Sequence, residues 1–136
     1  MTFSADISRF VNKAEKEADK RIRATCLKIV RGVIEKTPVD DGRLRGNWQA
    51  SLGFPISGSI EREDKSGGAT IAAAQPSIAK ATGRVWYFVN NLPYAAVAEY
   101  GLWNTGASAT TKTTRDGYSV QAPYGMVRVT MRELKV

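Results

Sequence analysis

Asp40 and Asp41 are adjacent carboxylates, the pair in this 136-residue sequence that could in principle hold a divalent cation. Magnesium or calcium needs further oxygen ligands at defined positions, and nothing nearby has the spacing of an EF-hand. With Gly42 directly after them, the two aspartates read as turn formers. Cys26 is the lone cysteine and the chain has no histidine. Every Ser-His-Asp, Cys-His and His-ligated arrangement is thereby excluded, as are an intrachain disulfide and a cysteine-rich zinc site. Cys26 falls among apolar residues at helical spacing and reads as a small core residue. No Walker sequence and no GxGxxG follows a strand, so nucleotide binding has no support. No metal and no cofactor is expected, and no enzymatic activity.

The remaining chemistry is that of surfaces. Lys and Arg number 20 against 13 Asp and Glu, a formal charge of +7. Residues 1–36 carry nine basic and five acidic side chains, residues 37–102 six of each, and residues 103–136 five and two. The positive excess therefore lies at the two ends of the sequence. Such a balance suggests nucleic acid as a partner, and a small basic nucleic-acid-binding protein is the alternative reading of the chain. The plainer reading is a solvated helix face with a mildly basic tail. Trp48, Trp86, Tyr87, Phe88, Tyr94, Tyr100, Trp103, Tyr118 and Tyr124 could stack bases, but single-strand binders interleave aromatics with cations. Only Arg84 neighbours the Trp86 run, so packing and protein–protein contact explain the aromatics better. Glu99 sits at the C-terminal end of an expected short helix, where the helix dipole disfavours it. It should have a compensating cation, with Arg43 and Arg45 as candidates, in a structural or intersubunit ion pair.

The elements that would position these residues follow from periodicity. At 43% hydrophobic and 24% charged, the chain suits a single globular domain with its own core. Phe3, Ile7, Phe10, Val11, Ala14, Ala18, Ile22, Cys26, Ile29 and Val33 form one helical stripe. The expected helix runs over 4–36, with Ser4 as N-cap and Thr37-Pro38 as the stop. It would be about 50 Å long, against a diameter of about 36 Å for a compact domain of this size. Either it kinks, with Gly32 the candidate point, or part of its stripe meets another subunit.

A turn at 39–43 leads to a half-buried strand at 47–52 and a loop at 53–68. The Ala-rich run 69–81 reads as two short helices, Gln75 ending one and Pro76 opening the next. Residues 84–89 suit a central strand. Asn90 and Asn91 are expected to cap a helix at 92–100, closed by Gly101. A mobile loop is expected at 102–117, a short strand at 118–122 and a last helix at 126–134. The expected fold is α+β: a long N-terminal helix (1–37), an α+β core (38–101) with a small, mainly antiparallel sheet, the loop, and a C-terminal strand and helix (118–136). No stretch approaches 18 uninterrupted apolar residues, so no transmembrane helix is expected. The N-terminal residues lack a basic region followed by an apolar run, so no secretory signal is expected and the reducing cytosol is the expected compartment.

Three segments carry a more specific signal. Thr37-Pro38-Val39-Asp40-Asp41-Gly42-Arg43-Leu44-Arg45-Gly46-Asn47-Trp48-Gln49 resembles the TPVDTGRLRxxW segment of the tail-completion (neck) proteins of tailed bacteriophages, also known as minor tail components. Asn90-Asn91-Leu92-Pro93-Tyr94-Ala95 through Glu99-Tyr100-Gly101 is similar to the second signature of that family, NNxPYAxxxEYG. Gln121-Ala122-Pro123 and Gly125-Met126-Val127-Arg128 resemble its closing QAPxGMxR. The resemblance spans about 37–130, with Asp41 standing where the family commonly has Thr and a longer 102–117 loop. It implies a non-enzymatic virion protein that forms a ring, commonly a hexamer, between capsid and tail. The implied partners are further copies of the chain and the neighbouring head or tail rings, with DNA close by in the channel and no membrane. The implied interface or structural residues are Arg43, Arg45, Trp48, Asn91, Pro93, Tyr94, Glu99, Tyr100, Trp103 and Pro123. The N-terminal helix and the aromatic-ended 92–103 helix are the expected ring surfaces, and the host cytoplasm is the implied place of assembly.

Overall fold

Thirty-four residues of uninterrupted helical pattern fold as one helix, α1 (Phe3–Lys36), in the computed structural model of the chain. The structure describes residues 3–103, 112–114 and 116–134. Ser4 lies inside α1, so it is not the N-cap. Thr37 ends the helix, its hydroxyl donating back to Val33 O at 2.7 Å. The elements that follow are α2 (Arg43–Gly46), β1 (Trp48–Leu52), α3 (Gly68–Ala79), β2 (Trp86–Asn90), α4 (Pro93–Tyr100) and α5 (Val127–Glu133). The fold is α+β. Among the described residues no helix is long and apolar enough to cross a membrane.

β1 and β2 pair antiparallel, from Trp48 opposite Asn90 to Leu52 opposite Trp86. Among the described residues the sheet has two strands and no centre, so β2 is not a central strand there. The period-two pattern puts Trp48, Ala50 and Leu52 on one face with their partners Phe88 and Trp86, and that face packs on the core. Trp48 stacks on Phe88 at 4.9 Å, and Phe88 on Trp86 at 5.6 Å. α3 contacts both α1 and β1, and α5 packs on α1. Val30, Val33, Ile34, Ala74, Ile78, Leu92, Ala98 and Met126 fill the space between them. Cys26 belongs to this core.

Pro76 does not divide α3, which continues through it. Ala72, whose carbonyl the proline leaves without its helical donor, is exposed to water, while Ala74 and Ile78 are buried one turn apart and hold both halves against the core. Nor does α1 break at Gly32. That glycine permits close approach, because a Cβ there would stand 2.6 Å from Thr130 Cγ2 of α5. Gly32→Ala is therefore expected to lower unfolding free energy by about 1–3 kcal/mol, read as an earlier urea midpoint.

Gly42, at the tip of the Asp-Gly turn, has φ 90° and its carbonyl accepts from Asp64 N at 2.9 Å. The turn needs glycine on both counts: a Cβ there would meet the Asp64 backbone. Residues 118–122 form no strand; Ser119 makes an isolated bridge with Thr113, followed by turns. Of the loop expected at 102–117, residues 104–111 and 115 lie outside the described residues.

Candidate assembly surfaces

The three segments around residues 37–49, 90–101 and 121–128 are tied to one another by side chains. Gln121 makes a two-way bond with the backbone of Val39, Oε1 accepting from Val39 N at 2.8 Å and Nε2 donating to Val39 O at 2.9 Å. Asn90 Nδ2 donates to Leu44 O at 2.8 Å. The Glu99 carboxylate accepts from the backbone N–H groups of Met126 (2.8 Å), Val127 (2.8 Å) and Arg128 (3.0 Å). First joins third, second joins first, and second joins third.

Glu99 does have the cation its position demanded, but the cation is neither Arg43 nor Arg45. Arg128 Nε reaches Glu99 Oε1 at 3.1 Å, and the same guanidinium lies 5.1 Å from the centre of the Tyr100 ring. Burial pushes the Glu99 carboxyl up, but the N–H groups of Val127, Arg128 and Met126 and the Arg128 side chain outweigh it, holding the carboxyl below its ordinary value. The carboxylate thus caps α5, which has no local side-chain cap. Arg43 opens α2, its N–H donating to Asp41 Oδ1 at 2.9 Å. Arg45 clamps backbone, donating to Lys65 O (2.7 Å), Thr37 O (2.8 Å) and Glu35 O (3.1 Å).

Trp48 is buried, its indole donating to Thr37 Oγ1 at 2.8 Å. Asn90 and Asn91 do not cap α4 from the N-cap position, which Leu92 occupies. Asn91 Nδ2 instead holds the 53–67 loop through Ile56 O and Gly58 O, at 2.8 and 2.9 Å. Pro93 and Pro123 are exposed, the first opening α4 and the second in the turn before α5. Tyr94 and Tyr100 are also exposed, and Trp103 is half-buried.

Asp64 has a structural role that no motif marks, while Gln121 and Arg128 lie within the third segment without being among the expected interface residues. Asp64 accepts from Thr70 N (2.8 Å), Thr70 Oγ1 (2.7 Å) and Gly67 N (3.0 Å), capping α3. An aspartate just ahead of an Ala-rich helix is the signal that could have found it.

Among the described residues, two surfaces combine apolar groups with access to solvent. The Gln121–Val39 tie lines a groove of ≈ 580 Å³ with Pro38, Leu44, Tyr94, Trp103 and Val120 also among its lining. Asp40 and Asp41 lie at its edge, exposed, and Lys112 contributes a cation. The other surface is α1 itself. No residue from 4 to 25 is buried, and Ile7, Phe10, Val11 and Ile22 present 42% or more of their surface to water. Among the described residues, no cluster of three or more His, Cys, Asp or Glu side chains is placed to hold a metal ion. No protein-family model, curated protein or solved structure matches the chain.

Proposed function

We propose that the chain is a structural subunit of the head–tail junction of a tailed bacteriophage, a tail-completion or neck protein that works by assembling and catalyses nothing. One observation carries the reading beyond the resemblance of the three segments. A small folded body bears a helix on which none of residues 4–25 is buried, with large exposed apolar groups at helical spacing along it. A monomeric protein rarely leaves such a stripe wet. Part of a larger assembly does so because a neighbour covers it.

The interlocking of the three signatures suits the same role. A ring subunit must present two unlike surfaces at a fixed relative angle, or the ring does not close. Asn90, Glu99 and Gln121 fix the groove relative to α5, and α5 packs on α1 through Gly32. Nucleic-acid binding as the main activity has weaker support. Trp48, Phe88 and Trp86 stack on one another against the core and present no open platform for bases.

The location of the protein in finished particles tests the reading. Gold-labelled antibody against the chain is expected to mark the junction between capsid and tail in electron micrographs. Label confined to the capsid surface or the tail tip, or particles with none, contradicts it.

A further inference from the structure

The apolar stripe of α1 runs past the end of its own body. Cys26, Val30 and Val33 are buried in the core, and the stripe continues through Ile22 to Val11, Phe10 and Ile7 in the open. Phe10, 73% exposed, lies sixteen residues ahead of the first buried position of an unbroken helix. That is about 24 Å of rigid rod, so Phe10 cannot fold back onto its own groove. None of the described residues buries it, which leaves the side chain open to another chain.

The groove offers a surface of matching character. It is apolar along Val39, Leu44, Tyr94 and Val120 and carries two carboxylates, Asp40 and Asp41, against one cation, Lys112. The helix stretch 7–16 has the opposite balance, Arg9, Lys13 and Lys16 against Glu15. Ile7, Phe10, Val11 and Ala14 follow the i, i+3, i+4, i+7 spacing with which a helix enters a groove.

We propose that α1 of one copy seats Ile7 and Phe10 in the groove of the next copy, with Lys13 against Asp40. The contact joins two different surfaces, the head-to-tail kind that generates a ring when its rotation closes. The inference rests on the assembly reading above and assigns its two faces.

Two variants of the full chain test it. Phe10→Asp spoils the helix and leaves the groove intact; Val120→Lys places a cation in the groove and leaves the helix intact. Both positions are exposed, Val120 at 48%, so neither change enters the core. In sedimentation at submillimolar concentration the wild-type chain is expected to form closed assemblies. Each variant alone is expected to associate about tenfold more weakly or worse. An equimolar mixture, holding one intact helix–groove combination, is expected to give pairs of one copy of each and nothing larger.

A second pair of substitutions removes any dependence on those two. Lys13→Glu and Asp40→Lys each weaken association, and together in one chain they restore it. A monomeric wild type, a Phe10→Asp chain that assembles normally, a mixture without pairs, or a double charge variant no better than either single overturns the inference. A monomeric wild type whose loss still separates heads from tails would leave the junction role standing. Particles that join normally without a chain that self-associates as described would remove the junction role and leave the contact.

Discussion

Replacing Glu99 by Gln is expected to lower the unfolding free energy by about 3 kcal/mol and to free α5 from the end of α4. Oε2 accepts from Met126 N and Val127 N, and Oε1 from Arg128 N and Arg128 Nε. An amide keeps one of these acceptors and turns the other into a donor facing donors. The amides at the start of α5 then lose their partners beside a Glu99 that is 8% and a Met126 that is 1% exposed, where water is a poor replacement. Urea unfolding at neutral pH, followed by tryptophan fluorescence, measures the loss. A change below about 1 kcal/mol, the net worth of one ordinary hydrogen bond, would show that the carboxylate does not hold this end of the fold.

The pH dependence has a definite sign. Glu99 and Asp64 are both held below their ordinary values in the folded chain. For Asp64 burial pushes upward, and the N–H and hydroxyl of Thr70, the N–H of Gly67 and the Ser66 hydroxyl outweigh it. A carboxyl with a depressed folded value takes its proton more readily when unfolded. Its contribution is complete above the ordinary carboxylate range, about pH 4, and is lost as pH falls from there through the folded values. Wild-type stability is therefore expected to be level in these two contributions from neutrality to about pH 5 and to decline below. In Glu99→Gln the decline is smaller, because one of the two groups no longer titrates.

The second large effect is expected at Asp64. Asp64→Asn removes one acceptor from a carboxylate that holds Thr70 N, Thr70 Oγ1, Gly67 N and Ser66 Oγ. Thr70 is itself 1% exposed, so its groups have no route to water. A loss of about 2–3 kcal/mol follows. It is felt beyond the first turn of α3, because that helix contacts both α1 and β1. Hydrogen exchange should show the amides of Gly67 and Thr70 losing protection ahead of those in the C-terminal half of α1. Unchanged protection at Thr70 would contradict the capping role.

Periodicity made most of the elements legible. The three-four spacing of α1, the alternation Trp48–Ala50–Leu52 and the aromatic β2 are local signals, and burial of the matching face is what keeps each in place. The excess length of α1 was legible too, since its apolar spacing runs on past the size of a compact body. The failures are of another kind. Pro76 was read as a break because propensity speaks for the backbone alone, whereas burial of Ala74 and Ile78 on either side overrides it. Asn90 and Asn91 were read as caps because they precede a helix, yet one joins Leu44 and the other holds the 53–67 loop.

Glu99 shows the limit most clearly. Its position at a helix C-terminus required a compensating positive group, and that requirement is a property of α4 alone. Which group answers it depends on where the chain turns between 101 and 126. The answer is the start of α5 together with Arg128, 29 residues away. Gln121 likewise bonds Val39 across 82 residues. Pairings at such distances follow from the packed fold and leave no periodic trace.

The proposed role is to join capsid to tail by assembling there. Electron microscopy of particles produced with the chain deleted, and again with wild-type protein added to the lysate, tests it most directly. DNA-filled heads and free tails are expected to accumulate apart, and joined particles to return when the wild-type chain is added. Filled heads joined normally to tails in the absence of the chain would contradict it.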